Sequence, residues 1–228
     1  MKIPGAVRSL ALGLSLLLLG AAARATGVRS GELAQALKAT PDLAHGRQLF
    51  LGCVACHGSD GAGEANGTVP RIAGQYPSVL IKEIVDFRAR QRWDLRMEQV
   101  AGGHRLANAQ AVADVAGYIA TLRPELPAAL GSGEYLQRGA AAYIRVCSGC
   151  HGATGQGNGA GAVPRLAGQH APYLMRQMQE SAAGGRPNMA ASHIALLRLL
   201  SYEEFAGAAD YLSRMQRVEP RGETAAGQ

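Results

Sequence analysis

Aromatic side chains are scarce in this sequence, at 5% of 228 residues, and its lysines and arginines never form a run. Nucleic-acid-binding proteins usually concentrate basic residues in a patch, so nucleic acid is not expected as a partner. The sequence also lacks a nucleophile elbow and a phosphate-binding loop, which leaves no pattern typical of a hydrolase. No segment alternates apolar and polar residues for long enough to predict a strand, so we predict an all-α fold.

A long apolar run is missing as well. The uncharged, leucine-rich stretch at residues 9–23 is shorter than the roughly 20 residues that a membrane-spanning helix requires. It follows Lys2 and Arg8, and Ala23-Arg24-Ala25 has the small-x-small pattern of a cleavage site. We therefore predict that residues 1–25 are a secretory signal peptide cleaved near Ala25, with a retained membrane anchor as the alternative.

Cysteine is also rare, and the four cysteines lie in two C-x-x-C-H runs at residues 53–57 and 147–151. Cysteines three apart on a helical turn share one face, so both thiols can bond to a porphyrin edge while the histidine reaches the iron. Three alternatives fit these cysteines less well. A disulfide framework does not explain the histidine that follows each pair. A thioredoxin-like pair is expected in a βαβ context, which is not visible here, and a four-cysteine zinc site requires its two pairs to lie much closer together. The runs predict two covalently bound haem c groups, attached through Cys53, Cys56, Cys147 and Cys150, with His57 and His151 as iron ligands.

The two motifs belong to an internal duplication. A P-R-[IL]-A-G-Q segment follows each motif at the same spacing, at residues 70–75 and 164–169. Proline and glycine between the halves indicate a linker. We predict the signal peptide 1–25, an N-terminal arm 26–41 that is a short helix or a loose segment, a first domain 42–123, a linker 124–133, a second domain 134–219 and a tail 220–228.

A six-coordinate haem iron requires a second axial ligand, commonly Met or His. For the first haem we favour Met97, which we expect in an irregular segment, with His104 as the alternative. For the second we favour Met189, which follows a glycine- and proline-containing loop. The other candidates are His193, Met215 and two methionines on a predicted helix, where core packing is the default, Met175 and Met178.

Two arginines of the repeated segments, Arg71 and Arg165, suit haem propionates because arginine pairs well with carboxylates. A solvated surface position is the equal alternative for both. The remaining histidines, His45 and His170, are expected on the surface.

The sequence resembles the class I c-type cytochromes, and within them the dihaem cytochrome c4 family. The resemblance covers nearly the whole predicted mature chain, and its features are the two C-x-x-C-H-G runs, the two P-R-[IL]-A-G-Q segments and a methionine loop before the final helix of each half. It implies two tandem cytochrome c domains related by a pseudo-twofold axis, with haem propionates meeting at the interface. It also implies that the carbonyls of Pro70 and Pro164 accept hydrogen bonds from His57 and His151.

The same resemblance implies a periplasmic, non-enzymatic protein that passes single electrons to a terminal oxidase or another respiratory redox partner, free or loosely associated with the membrane. The cytochrome subunit of flavocytochrome c sulfide dehydrogenase looks similar too. An electron-accepting subunit of such a dehydrogenase is therefore the second hypothesis. A third is an enzyme acting at a haem with an open coordination position.

Overall fold

The computed structural model describes residues 29–125 and 127–215. The predicted signal peptide and the tail 220–228 lie outside these residues. In the first half, helix α1 covers residues 29–38. It is followed by α2 (Leu43–Phe50), α3 (Val54–His57), α4 (Pro77–Arg88), α5 (Leu95–Gly102), a 3-10 turn (His104–Leu106) and α6 (Ala109–Thr121).

The second half repeats this order. It contains α7 (Leu136–Ala142), a π-helical turn (Tyr143–Cys147), α8 (Ser148–His151), α9 (Ala171–Ala182), α10 (Ala191–Leu197) and α11 (Tyr202–Arg214). Extended pairing over the described ranges is limited to an isolated bridge between Asn158 and Val163. The predicted all-α fold of two tandem domains is confirmed. None of the helices described is long and apolar enough to cross a membrane.

Side-chain caps start several helices where the sequence predicted them. Asp42 accepts hydrogen bonds from the first N–H groups of α2, and Asn108 does so for α6. Ser201 and Glu204 form the predicted capping box of α11. One expectation was wrong: Met97 lies in helix α5 and not in an irregular segment. Asp94 caps that helix, and a helix of two turns is too short to show apolar periodicity in sequence.

The first domain has one continuous apolar cluster. Buried side chains of α4 and α6 form its centre, among them Val85, Val112 and Val115. Helix α1 adds Ala36, which is 1% exposed, so the predicted N-terminal arm is a helix packed on the first core. The second domain has two smaller clusters, around Tyr143 and Leu212 and around Leu197 and Phe205. Buried apolar area drives folding, so the second domain has less apolar core of its own to stabilise it.

In each domain, one glycine allows the backbones of two crossing helices to touch. A Cβ on Gly46 of α2 would lie 2.1 Å from the carbonyl oxygen of Asp114 in α6. A Cβ on Gly139 of α7 would lie 1.8 Å from the carbonyl carbon of Gly207 in α11. No real side chain fits at such distances, so these crossings require glycine.

Candidate haem-binding sites

The first C-x-x-C-H motif forms a short helical turn with its histidine pointing inwards. His57 is buried, and its Nδ1 lies 3.0 Å from the carbonyl oxygen of Pro70. A carbonyl can only accept, so Nδ1 carries the hydrogen and Nε2 keeps its lone pair. Burial lowers the pKa of His57, although the bond to Pro70 opposes this. The result is a fixed, neutral imidazole able to bind a metal ion through Nε2.

The second motif repeats this geometry. His151 is buried and its Nδ1 lies 3.0 Å from the carbonyl oxygen of Pro164. Burial lowers the pKa of His151 as well. The hydrogen bonds that the resemblance implied are therefore present in both domains.

The cysteines of the two motifs form no disulfide. Burial raises the pKa of Cys53 and of Cys147 to about 11. Cys56 and Cys150 are exposed beside them. Two thiols and one neutral imidazole on a single helical turn fit the attachment of haem c, because the thioether bonds and the iron ligand then come from one rigid element.

In the loop that follows each motif, a glycine leaves room for the proline carbonyl that accepts the hydrogen bond from the motif's histidine. Gly63 has φ of +74°, and a Cβ there would lie 2.4 Å from the carbonyl oxygen of Pro70. Gly157 has φ of +71°, and its Cβ would lie 2.6 Å from the carbonyl oxygen of Pro164. The N–H groups of these glycines donate to the carbonyls of His57 and His151. The glycine-rich loops were visible in sequence, but these roles were not.

The candidate distal ligands occupy different positions in the two domains. Met97 packs, partly buried, against the apolar cluster that also contacts Cys53, whereas His104 is exposed. In the second domain the Sδ of Met189 lies 3.3 Å from the Nδ1 of His193. The ring of His193 lies near that of His151, with centroids 6.1 Å apart and the ring planes tilted by 47°. Three other candidates pack against the apolar clusters of this domain, Met175, Met178 and Met215.

The repeated segments meet at the interface between the domains. The backbone N–H of Arg71 donates to Oε1 of Gln169, and Nε2 of Gln169 donates to the carbonyl of Arg71, at 3.0 and 2.8 Å. Arg165 and Gln75 form the same pair of bonds, both at 3.0 Å. This reciprocity is the pattern expected of a pseudo-twofold axis. Both glutamines belong to the repeated P-R-[IL]-A-G-Q segment, but their role could be recognised only once the two halves were seen to pack together.

Both arginines of that interface are buried, at 5% exposure for Arg71 and 6% for Arg165. Arg71 donates from Nη1 to the carbonyl of Gly168 across the interface, and the guanidinium of Arg165 lies over the ring of Tyr76. The alternative of a solvated surface position is therefore wrong for both.

His170 also differs from expectation, because it is buried instead of exposed. Its Nε2 lies 2.7 Å from the carbonyl oxygen of Ala62 in the first domain. Its Nδ1 accepts from the N–H of Ala129 in the segment between the domains. It therefore joins three parts of the chain, which no local sequence pattern could indicate. His45 is half-exposed and pairs with Asp114.

A charged network reinforces the interface. Glu83 of α4 binds Arg92 from its own domain and Arg186 from the other, at 2.7 and 3.1 Å. Both arginines also donate to Oε1 of Gln177 on α9. Although burial acts to raise it, the pKa of Glu83 is lowered to about 2 because the charges of Arg92 and Arg186 prevail.

This network predicts acid sensitivity. A carboxylate whose pKa is lower in the folded than in the unfolded protein stabilises the fold. The stabilisation is complete when the pH is above the pKa of the unfolded state, near 4.5, and it is lost progressively as the pH falls towards 2. Above that pH range we expect Glu83 to contribute about 3 kcal/mol to the free energy of unfolding. Chemical denaturation of the haem-loaded protein at several pH values checks this. In Glu83→Gln the free energy of unfolding should depend less on pH than in the wild type, whereas Glu125→Gln, at an exposed position, should keep the wild-type dependence. The same pH dependence in both variants would contradict this role of Glu83.

Two attachment motifs on equivalent helical domains define a class of protein, the c-type cytochromes with two haems in one chain. The sequence model of the cytochrome c family matches residues 43–123 and 136–215. Cytochrome c4 of Azotobacter vinelandii is 32% identical over 188 residues, covering 76% of this chain and 89% of the relative. The crystal structure of cytochrome c4 from Pseudomonas stutzeri superposes with a TM-score of 0.68 at 25% identity, covering 78% of this chain and all of that one.

The chain belongs to the dihaem cytochrome c4 family of c-type cytochromes, and it carries two covalently bound haem c groups. Some relatives have names that state a partner. The thiosulfate dehydrogenase electron acceptor of Stutzerimonas stutzeri is 32% identical over 178 residues, covering 74% of this chain and 81% of the relative. A thiosulfate dehydrogenase structure from Marichromatium purpuratum matches with a TM-score of 0.67 at 29% identity, covering 82% of this chain and 44% of that one.

Proposed function

We propose that this protein is a periplasmic electron carrier that accepts single electrons and delivers them to a terminal oxidase or another respiratory partner. The observation that carries the proposal is the reciprocal interface, whose paired hydrogen bonds join the domains that carry the two haem-attachment motifs. The haems supply one-electron chemistry between ferric and ferrous iron. Export through residues 1–25 would provide the periplasmic location.

Each residue set has a separate role in this proposal. The four cysteines hold the cofactors covalently, and His57 and His151 bind iron through Nε2 while their Nδ1 atoms are fixed by prolines. Arg71 and Arg165 place two buried positive charges at the interface, where haem propionates would neutralise them. Met97 supplies the sixth ligand of the first haem from α5.

The sixth-ligand role of Met97 has a direct test. Met97→Ala should abolish the far-red charge-transfer band that a methionine bond to ferric haem iron produces at the first site, and lower the potential of that haem, because methionine ligation raises it. The absorption spectrum and a redox titration measure the two effects. Met178→Ala, which removes a packed methionine of α9, is the matched control. An unchanged band in Met97→Ala would contradict the ligand assignment.

A second candidate function is electron acceptance from a dehydrogenase of reduced sulfur compounds. The relatives named as thiosulfate dehydrogenase electron acceptors favour thiosulfate as that enzyme's substrate, whereas the sequence alone suggested a sulfide dehydrogenase. Both roles are compatible in one carrier, because the donor and the acceptor of its electrons are different proteins.

The two partners can be distinguished by the direction of the reaction. Ferric protein mixed with a thiosulfate dehydrogenase and thiosulfate should become ferrous, and the rate should depend on the concentration of the carrier. Ferrous protein mixed with respiratory membranes should be oxidised in a cyanide-sensitive manner. Failure of the first assay alone would exclude the tested donor, and failure of the second alone would exclude an oxidase in those membranes.

A further inference from the structure

The two short helices before the final helix of each domain place different residue types at the same position. Helix α5 begins at Leu95 after its N-cap Asp94, and its third residue is Met97. Helix α10 begins at Ala191 after its N-cap Ala190, and its third residue is His193. Met189 precedes the N-cap of α10. The residue that corresponds to Met97 by its place in the helix is therefore His193.

The distance between two histidine rings supports this correspondence. Bonds of about 2 Å from a metal ion to two imidazole nitrogens on opposite sides separate those nitrogens by about 4 Å. Each ring centre lies about 1 Å further out, so the centroids are about 6 Å apart. The rings of His151 and His193 have centroids 6.1 Å apart. Iron between them would bind both histidines without a change in their separation.

Met189 has a different contact that explains its position. Its Sδ lies 3.3 Å from the Nδ1 of His193, and a thioether is a weak hydrogen-bond acceptor. The hydrogen of His193 is then on Nδ1, and Nε2 keeps the lone pair that binds a metal ion. A partner on the second nitrogen orients a ligating histidine, as the carbonyl of Pro164 does for His151. Met189 therefore acts as a positioning residue.

We propose that His193, and not Met189, is the sixth ligand of the second haem. The inference rests on the proposed function only in requiring that both haems are bound. The first haem would then have one histidine and one methionine ligand, and the second two histidines. Because methionine ligation raises the reduction potential, the second haem would have the lower potential of the two. Electrons entering at the second domain would then run downhill to the first.

Proton NMR of the reduced, haem-loaded protein tests the proposal without any substitution. The methyl group of an axial methionine lies over the porphyrin and gives a resonance far upfield of all others, so each Met-ligated haem gives one such signal. We expect a single signal, which Met97→Ala removes and Met189→Leu retains. Two signals, one of them lost in Met189→Leu, would overturn the proposal and assign Met189 as the ligand.

A second experiment introduces a methionine at the position of the proposed ligand. His193→Met should add a second upfield methyl signal and raise the lower of the two midpoint potentials, with the upper one unchanged. The matched variant Ser192→Met, on the preceding residue of α10, should do neither. An unchanged lower potential in His193→Met would contradict the proposal. The haem content of each sample is measured separately. Fewer than two haems per wild-type chain would overturn the proposed function together with the ligand assignment, whereas two haems with an unchanged lower potential in His193→Met would overturn the ligand assignment alone.

Discussion

Replacing Cys147 and Cys150 by serine is expected to leave one covalently bound haem per chain and to unfold much of the second domain. The same replacement at Cys53 and Cys56 should also leave one haem, but with the first domain largely folded. The reason is the difference in the apolar cores. The first domain buries one continuous cluster from α1 to α6, whereas the second has two smaller clusters around Tyr143 and around Phe205.

Two measurements check this asymmetry. The spectrum of the reduced pyridine complex, formed in alkali with the haem still attached to the chain, gives the haem content, which should fall from two to one in either double variant. Hydrogen exchange followed by mass spectrometry gives the folding of each domain. Strong loss of protection in α7 and α11 is expected for the second pair, and a much smaller loss in α2 and α6 for the first. Equal losses would show that core size does not decide the dependence on haem.

Gly139→Ala is expected to destabilise the second domain by about 3 kcal/mol, because the added methyl group must separate two helices that touch through their backbones. Its Cβ would lie 1.8 Å from the carbonyl carbon of Gly207 and 2.2 Å from the backbone nitrogen of Ala208. Since these neighbours are backbone atoms, no rotation of a side chain can relieve the clash. The α7–α11 crossing has to open, and Tyr143 and Leu212 beside it lose contacts.

Thermal and chemical denaturation of the haem-loaded protein measure the effect. Gly31→Ala is the matched control, because a Cβ there meets nothing within 4 Å and alanine is favoured over glycine in a helix. It should leave the free energy of unfolding unchanged or raise it by less than about 1 kcal/mol. A Gly139→Ala protein as stable as the Gly31→Ala protein would show that the crossing is not close-packed.

The sequence predicted the parts of the site that lie close together in the chain. Cysteines and a histidine within five consecutive residues share one helical turn by backbone geometry alone, and caps such as Asp42 and Ser201 act on the next turn of their own helix. The duplication was visible because both halves keep the same spacing. The distal ligands Met97 and Met189 stay predictions, because they were matched by sequence order alone, whereas the third residue of α10, the place that Met97 takes in α5, is His193.

The sequence by itself therefore determined the cofactor, its number and the helical class of the fold, because these depend on local spacing and on composition. Only the tertiary structure decided which residues meet across the domains. The contacts that Gln75, Gln169, Glu83 and His170 make across the interface join residues 90 to 108 positions apart in the sequence, and they arise from the packing of one half on the other. The approach of His193 to His151 belongs to the same category, because the two side chains lie on different helices, α10 and α8, and their ring centroids come within 6.1 Å only once the domain has folded.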